Sequence, residues 1–270
     1  MNPSSTDRTP AGLTRERVEE WVDFEVSEEF LRDLNASARA RSFQPGDIVF
    51  HFAHDNTHIH LVTSGVLMRH QMHSSGKMQV LTKFLGFKNL LGLDMLYAPG
   101  SDGHIKVVDT AVTAVTTLAV PLAVFDGFVT RHPAVARGMV HYFSRENAIT
   151  TMQFIIRKRK GNASYLARVV LQLLGLYRAS LPEGDRFLIT GLTRNDLADF
   201  TGMSRQMVSG ILGRFEVSGI LKREVKSLRV TNLKGLVVIA TSEEPRSDQA
   251  QDPSPQSYQI TLPAWSEPLG

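Results

Sequence analysis

Between residues 192 and 221 the chain carries two short helical patterns joined through one glycine, and this stretch leaves few folds open. Thr193 is a good N-cap, and Asn195 and Asp196 suit a first helical turn. Leu197, Ala198 and Phe200 or Thr201 give that helix one apolar face. Gly202, able to take positive φ, stops it. Ser204 caps the second helix, whose apolar positions Met207, Val208, Ile211, Leu212 and Phe215 recur at three- and four-residue spacing. The small Ala198 stands four residues before the glycine, so the two helices can cross closely. Val208 and Ile211, six and nine residues after it, pack back on the first helix. That spacing predicts a helix-turn-helix whose second helix enters the major groove of DNA. Its groove-facing side is Ser204, Arg205, Gln206, Ser209 and Gly210, with Thr193 and Arg214 as further DNA contacts. Arg and Gln suit bidentate contacts to guanine and adenine edges. The plain alternative is an αα-corner within an all-α core.

Charge favours the DNA reading. Formal net charge over the 270 residues is only +3, so the chain is not a polycation. Residues 161–241 nevertheless hold 11 Lys/Arg against 6 Asp/Glu, and Arg157, Lys158, Arg159 and Lys160 come just before them. Residues 242–270 hold Arg246 against Glu243, Glu244, Asp248, Asp252 and Glu267. A basic C-terminal half followed by an acidic tail fits a phosphate-facing domain. The length and a hydrophobic content of 42% suit two domains with real cores. No cysteine is present, which excludes disulfides, cysteine-ligated iron–sulfur clusters, thiolate haem and thiol switches. Met1 to Thr9 lacks a signal pattern, and the most apolar region, 107–125, carries Asp109, four threonines and Pro121. That region reads as strand, not membrane span, so a cytoplasmic protein with no membrane partner is expected.

Residues 1–15 are polar and read as disordered, followed by short amphipathic helices over 15–23 and 27–37. From 41 to 125 the apolar period is two, with turn signals such as Pro45-Gly46-Asp47, Ser64-Gly65, Ser74-Ser75-Gly76 and Gly86. A sandwich, jelly roll or small barrel follows from that spacing. From Pro133 to 159 the period is 3.6, giving a helix about 40 Å long at ~1.5 Å per residue. Tyr142, Ile149, Met152 and Ile156 form a coiled-coil-like stripe for a second copy, while Phe143, Ala148, Phe154 and Ile155 lie off it and face the β-domain. Another helix is expected over 163–179. Strands at 187–189, 221–225 and 228–231 make a winged helix with its wing at Lys226-Ser227.

Six of the nine histidines, His51, His54, His58, His60, His70 and His73, crowd into 51–73. His58 and His60 share a strand face, so two imidazoles could take a metal or one could ligate haem. A metal-dependent β-barrel enzyme would need a carboxylate nearby, and Val62 to Gly65 offers none. A solvated histidine face and a polar or anionic organic ligand remain the other readings.

A β-domain, a long helix and a winged helix-turn-helix in this order resemble the Crp–Fnr superfamily of bacterial transcription regulators over about 25–240. The residues carrying the resemblance are Leu192-Thr193-Arg194 through Ser204-Arg205, and Ile211-Leu212-Gly213-Arg214-Phe215 with Gly219-Ile220-Leu221. Pro45-Gly46-Asp47, Leu61 through Gly65, Gly76, Gly86 and Leu90-Leu91-Gly92 match more weakly. The resemblance implies an α+β fold: an N-terminal extension (1–23), a jelly-roll, cyclic-nucleotide-binding-like β-roll sensor (24–130), a dimerisation helix (131–160), the winged helix-turn-helix (161–241) and a disordered acidic tail (242–270). It also implies a homodimeric regulator, not an enzyme, that reads an inverted repeat in double-stranded DNA and meets RNA polymerase if it activates. A small-molecule effector would sit between the roll and the long helix, near Leu91, Gly92, Met95, Leu96, Tyr97, Phe143 and Ala148.

Two departures shape the expectations. Gln206 and Gly210 stand where members often carry Glu and Arg. Gly92-Leu93-Asp94 and Ile105-Lys106 stand where cyclic-nucleotide binders carry Gly-Glu-Leu and Arg-Ser. Without that carboxylate and arginine a phosphodiester is poorly compensated, so cyclic AMP is not the expected ligand. No cofactor is expected; haem or a metal is the alternative.

Overall fold

The computed structural model describes residues 6–8, 12–22, 24–52, 57–73, 79–93, 105–159, 161–181 and 186–242. The period-two region forms two antiparallel sheets. One has the order β1 (Thr6–Arg8), β2 (Arg39–Phe43), β9 (Val115–Pro121), β4 (His58–Ser64), β7 (Leu90–Leu91). The other runs β3 (Ile48–His51), β8 (Ile105–Ala111), β5 (Leu67–His73), β6 (Gln79–Leu85). Phe50, Val62, Leu67, Leu85, Leu91 and Val115 fill the space between them. Strand alternation sends Ile59, Leu61, Leu118 and Val120 to the opposite face of the first sheet, under helices. That sheet is covered on both faces, so β9 reads as a nearly continuous apolar run.

The covering helices are α1 (Arg15–Trp21), α2 (Glu28–Ser37), α3 (Leu122–Arg131) and α4 (Pro133–Arg159). Val18, Trp21, Phe30, Phe125, Phe128 and Met139 join them to the sheet in one core. The first fifteen residues, expected to be disordered, contribute β1, which pairs antiparallel with Ala40–Ser42. Pairing on a sheet edge uses backbone groups and leaves no apolar signature in the sequence. Helix α3 was read as the end of the strand region; its Leu-Ala-Val-Phe run serves either element by composition.

Helix α4 has the extent the 3.6 period predicts. Its N-terminal part packs on the roll, with Val135 and Met139 buried and the Tyr142 hydroxyl accepting the Leu90 N–H at 3.3 Å. Glu146 pairs with Lys83. Past that pair the helix projects. Phe143, Phe154 and Ile155, expected against the β-domain, are 42%, 59% and 41% exposed, and Ala148 is exposed as well. The roll is too short to reach them.

The C-terminal part comprises α5 (Asn162–Ser180), β10 (Leu188–Thr190), α6 (Arg194–Thr201), α7 (Arg205–Val217), β11 (Leu221–Glu224), β12 (Ser227–Val230) and α8 (Leu233–Thr241). Its three strands pair in the order β10-β12-β11. Helix α8, which the sequence reading omitted, caps α5: Arg168 Nε donates to the Ala240 carbonyl at 2.6 Å. Val66, Leu81, Phe84 and Val112 of the roll share one apolar cluster with this part. Ser180 fastens the two, accepting the Gly65 N–H on its carbonyl and the Phe87 N–H on its hydroxyl, both at 2.9 Å. The tail from 243 onward, the turn at 74–78 and the side chain of His73 lie outside the described residues.

Candidate nucleic-acid interface

The Thr193 hydroxyl accepts the Asp196 N–H at 3.3 Å and the Asp196 carboxylate accepts the Thr193 N–H at 2.6 Å, a reciprocal cap that fixes the start of α6. Gly202 ends α6 at φ 67°. A Cβ there would collide with the guanidinium of Arg157, near the end of α4. The turn of the motif is therefore in direct contact with the long helix. Gly202→Ala is expected to lose about 1–2 kcal/mol from the left-handed conformation alone, read as a lower urea midpoint, with further loss as Arg157 is displaced.

Ala198, Val208 and Ile211 are buried at the crossing of α6 and α7, as their spacing requires. Ser204 caps α7 by accepting the Met207 N–H at 3.1 Å. Met207 itself, read as a core position, is 40% exposed. It sits at the rim, where the Asn162 amide donates to its sulfur at 3.1 Å. Opposite the buried Val208, Ile211, Leu212 and Phe215, the residues Arg205, Gln206, Gly210 and Arg214 are exposed and Ser209 is half-buried. The motif thus brings all seven candidate DNA contacts onto α7 and the start of α6. Beside Gly210 and Gly213 nothing lies within 4 Å of a would-be Cβ, so the reading face is smooth there and accessible to base edges.

One residue of this surface was missed. Arg194, exposed on the first turn of α6, donates to the Ser209 hydroxyl at 3.1 Å and so adds a cation to the reading face. Its place just after the N-cap was the available signal, since the first helix of such a motif crosses the DNA backbone. The wing turns at Val225-Lys226, with Lys226 at φ 54°, and presents Lys222 and Lys226 to solvent. Arg223 instead turns inward: its Nε donates to Glu216 of α7 at 2.7 Å. That hydrogen bond holds the Glu216 carboxyl below its ordinary range.

The surface rests on the roll. Phe200 of α6 stacks on Phe84 of β6 with ring centroids 4.8 Å apart. His70, on the neighbouring strand, feels Asp196 and Asp199 of α6, yet burial outweighs them and pushes its pKa below the ordinary value.

The other candidate sites separate. His60 is buried inside the roll, its Nδ1 at 3.2 Å from Thr117 Oγ1, and His58 Nδ1 lies 2.8 Å from Thr57 Oγ1. The rings are 6.3 Å apart, and among the described residues no group of three or more His, Cys, Asp or Glu is placed to hold a metal. Of the effector candidates, Leu91 lies in the inner core, Gly92 packs on Phe50 at φ 88°, and Phe143 and Ala148 are exposed on α4. Met95, Leu96 and Tyr97 lie outside the described residues. On the dimer stripe Tyr142 is half-buried, Ile149 and Met152 are exposed, and the side chain of Ile156 is outside the described set.

Residues 166–239 match the Crp-like helix-turn-helix domain family. The chain is 22% identical over 217 residues to the anaerobic regulatory protein of Haemophilus influenzae, covering 80% of this chain and 82% of that one. It is 23% identical over 218 residues to the regulatory protein HlyX of Actinobacillus pleuropneumoniae, covering 80% and 88%. A solved transcriptional regulator of the Crp/Fnr family from Eubacterium rectale superposes with a TM-score of 0.61 at 16% identity, over 80% of this chain and 96% of that one.

Proposed function

Because the chain belongs to the Crp–Fnr superfamily and is a DNA-binding transcription regulator of that type, we propose that it reads a two-fold inverted repeat as a homodimer in the bacterial cytoplasm. The observation that carries this is the pairing of two exposed surfaces on one rigid path. Arg205, Gln206 and Ser209 face outward on α7, and the projecting half of α4 exposes Ile149 and Met152. Arg157 and Gly202 connect the two in direct contact. In this reading 24–130 senses, 131–160 dimerises and 161–241 binds DNA. A small-molecule effector held between roll and α4 shifts the balance, and RNA polymerase is the further partner where the protein activates. Among the described residues no helix is long and apolar enough to cross a membrane.

Selection of bound DNA from random sequence tests the proposal. The expected product is a palindrome whose half-site centres lie about 34 Å apart; recovery of no preferred sequence would sink it. Arg205→Ala should weaken the selected site by about 1–3 kcal/mol and relax one position in each half. Lys226→Ala on the wing should instead weaken all sequences alike and reduce the salt slope by about 1.

A further inference from the structure

The helical cover of the roll encloses a cavity of about 80 Å³. Ile59, Leu118 and Val120 of the sheet form its floor, and Phe30, Phe125 and Met139 come from α2, α3 and α4. The space is several times the ~10–15 Å³ that seats one water. A wall this apolar offers water almost no hydrogen bonds, so the natural filling is hydrocarbon. None of the described effector candidates taken from the resemblance lines it.

The polar groups of the lining are at one end. They are Lys88, Arg145 and the hydroxyl-bearing Tyr142; no Asp or Glu lines the cavity. Lys88 is one of two described non-glycine residues at positive φ, 68°. This conformation is disfavoured for a lysine. The loop enforces it: Lys88 N–H donates to the Val62 carbonyl and Asn89 N–H to the Gly86 carbonyl, both at 3.0 Å, while the Asn89 amide oxygen accepts the Gly86 N–H at 2.8 Å. A strained, doubly pinned turn thus carries a cation to the end of an apolar cavity, facing a second cation one helical turn beyond Met139 and Tyr142 on α4. The guanidinium of Arg145 lies over the Tyr142 ring at 5.7 Å, which sets its height above the opening.

The geometry points to a binding site for a small amphipathic monoanion, a carboxylic acid with a short alkyl chain or a single ring. Its hydrocarbon enters between α2, α3 and α4, and its carboxylate meets Lys88 and Arg145 at the mouth. Charge-assisted contacts from two cations favour the anion over a neutral or cationic head. Such a ligand touches the N-terminal helices, the sheet and α4 at once, so it stiffens the root of the helix whose far end meets Gly202 through Arg157. Binding stands on the cavity alone; its effect on DNA rests on the regulator reading above.

Octanoate, octan-1-ol and octylamine are the probes, used on the full chain with ¹³C-methyl methionine. The Met139 methyl, assigned by Met139→Leu, reports from inside the cavity. Octanoate is expected to shift that signal saturably at one equivalent and to raise Tm, with octan-1-ol at least tenfold weaker and octylamine inactive. Lys88→Met with Arg145→Met should bring octanoate down to the level of the alcohol. Val135→Phe, or independently Leu118→Phe, should abolish binding while Tm holds. Absence of saturable octanoate binding, equal binding of octylamine, or binding undiminished in both filled variants overturns the site. DNA affinity for the selected site is measured separately with and without octanoate. A Met139 shift with unchanged DNA affinity keeps the site and removes its regulatory role. Failure of the DNA selection leaves the binding result intact.

Discussion

Ile149→Glu combined with Met152→Glu is expected to yield a folded monomer whose affinity for the selected palindrome falls by about 10²–10⁴-fold. Both side chains are largely outside the protomer, at 37% and 57% exposure, so their loss leaves the roll and the winged helix intact. In a pair of crossing α4 helices they lie in the seam, where burying each apolar side chain contributes about 1.5–3 kcal/mol. Four glutamates in that seam would instead repel one another. The two recognition helices then bind as independent units, and the advantage of tethering the second half-site is gone. Analytical ultracentrifugation reads the mass, circular dichroism checks the fold, and a titration on the palindrome reads affinity. A monomer that retained full affinity would show that one helix-turn-helix does the reading alone. Retention of the dimer would move the interface elsewhere on α4, where Val140, Phe143 and Phe154 are exposed as well.

The output half of the molecule was legible because local rules fix it. Thr193, Gly202 and Ser204 each do one job of capping or stopping, and Ala198, Val208 and Ile211 obey a spacing that only one crossing satisfies. Helix α4 was legible for the same reason, as an uninterrupted 3.6 period. The roll was legible as a class but not in its edges. Thr6–Arg8 pairs through backbone alone, and α3 follows β9 with no break in apolar composition. Which side of α4 meets the roll depends on how far the roll extends, and that length is a tertiary quantity. The contact between Arg157 and Gly202 joins residues 45 positions apart in the sequence and has no local signature. The same holds for the apolar cavity, whose walls come from four helices and a sheet, and for the burial of His60, which looked like a ligand and is a core side chain bonded to Thr117.

The largest effect on stability is expected at Asp109. Its carboxylate is completely buried and accepts two hydrogen bonds from Arg69, from Nε and Nη2, each at 2.8 Å. The two residues stand directly opposite on β8 and β5, so the backbone register itself delivers the fork to its acceptor. Asp109→Ala strips the guanidinium, 16% exposed, of that bidentate acceptor, and the loss should be about 3–5 kcal/mol. Urea unfolding followed by roll-specific signals measures it. Asp109→Asn keeps one acceptor oxygen and should lose less. The decisive comparison is Asp109→Leu with Arg69→Met. Removing both charges eliminates the desolvation penalty together with the attraction, so the double variant should be more stable than Asp109→Ala. A double variant no better than the single one would mean that the pair holds the sheet through more than its own two charges. Since β5 and β6 are the strands on which α6 rests, that outcome would also tie the pair to the seating of the DNA-reading motif, readable as a change in operator affinity at temperatures where the roll remains folded.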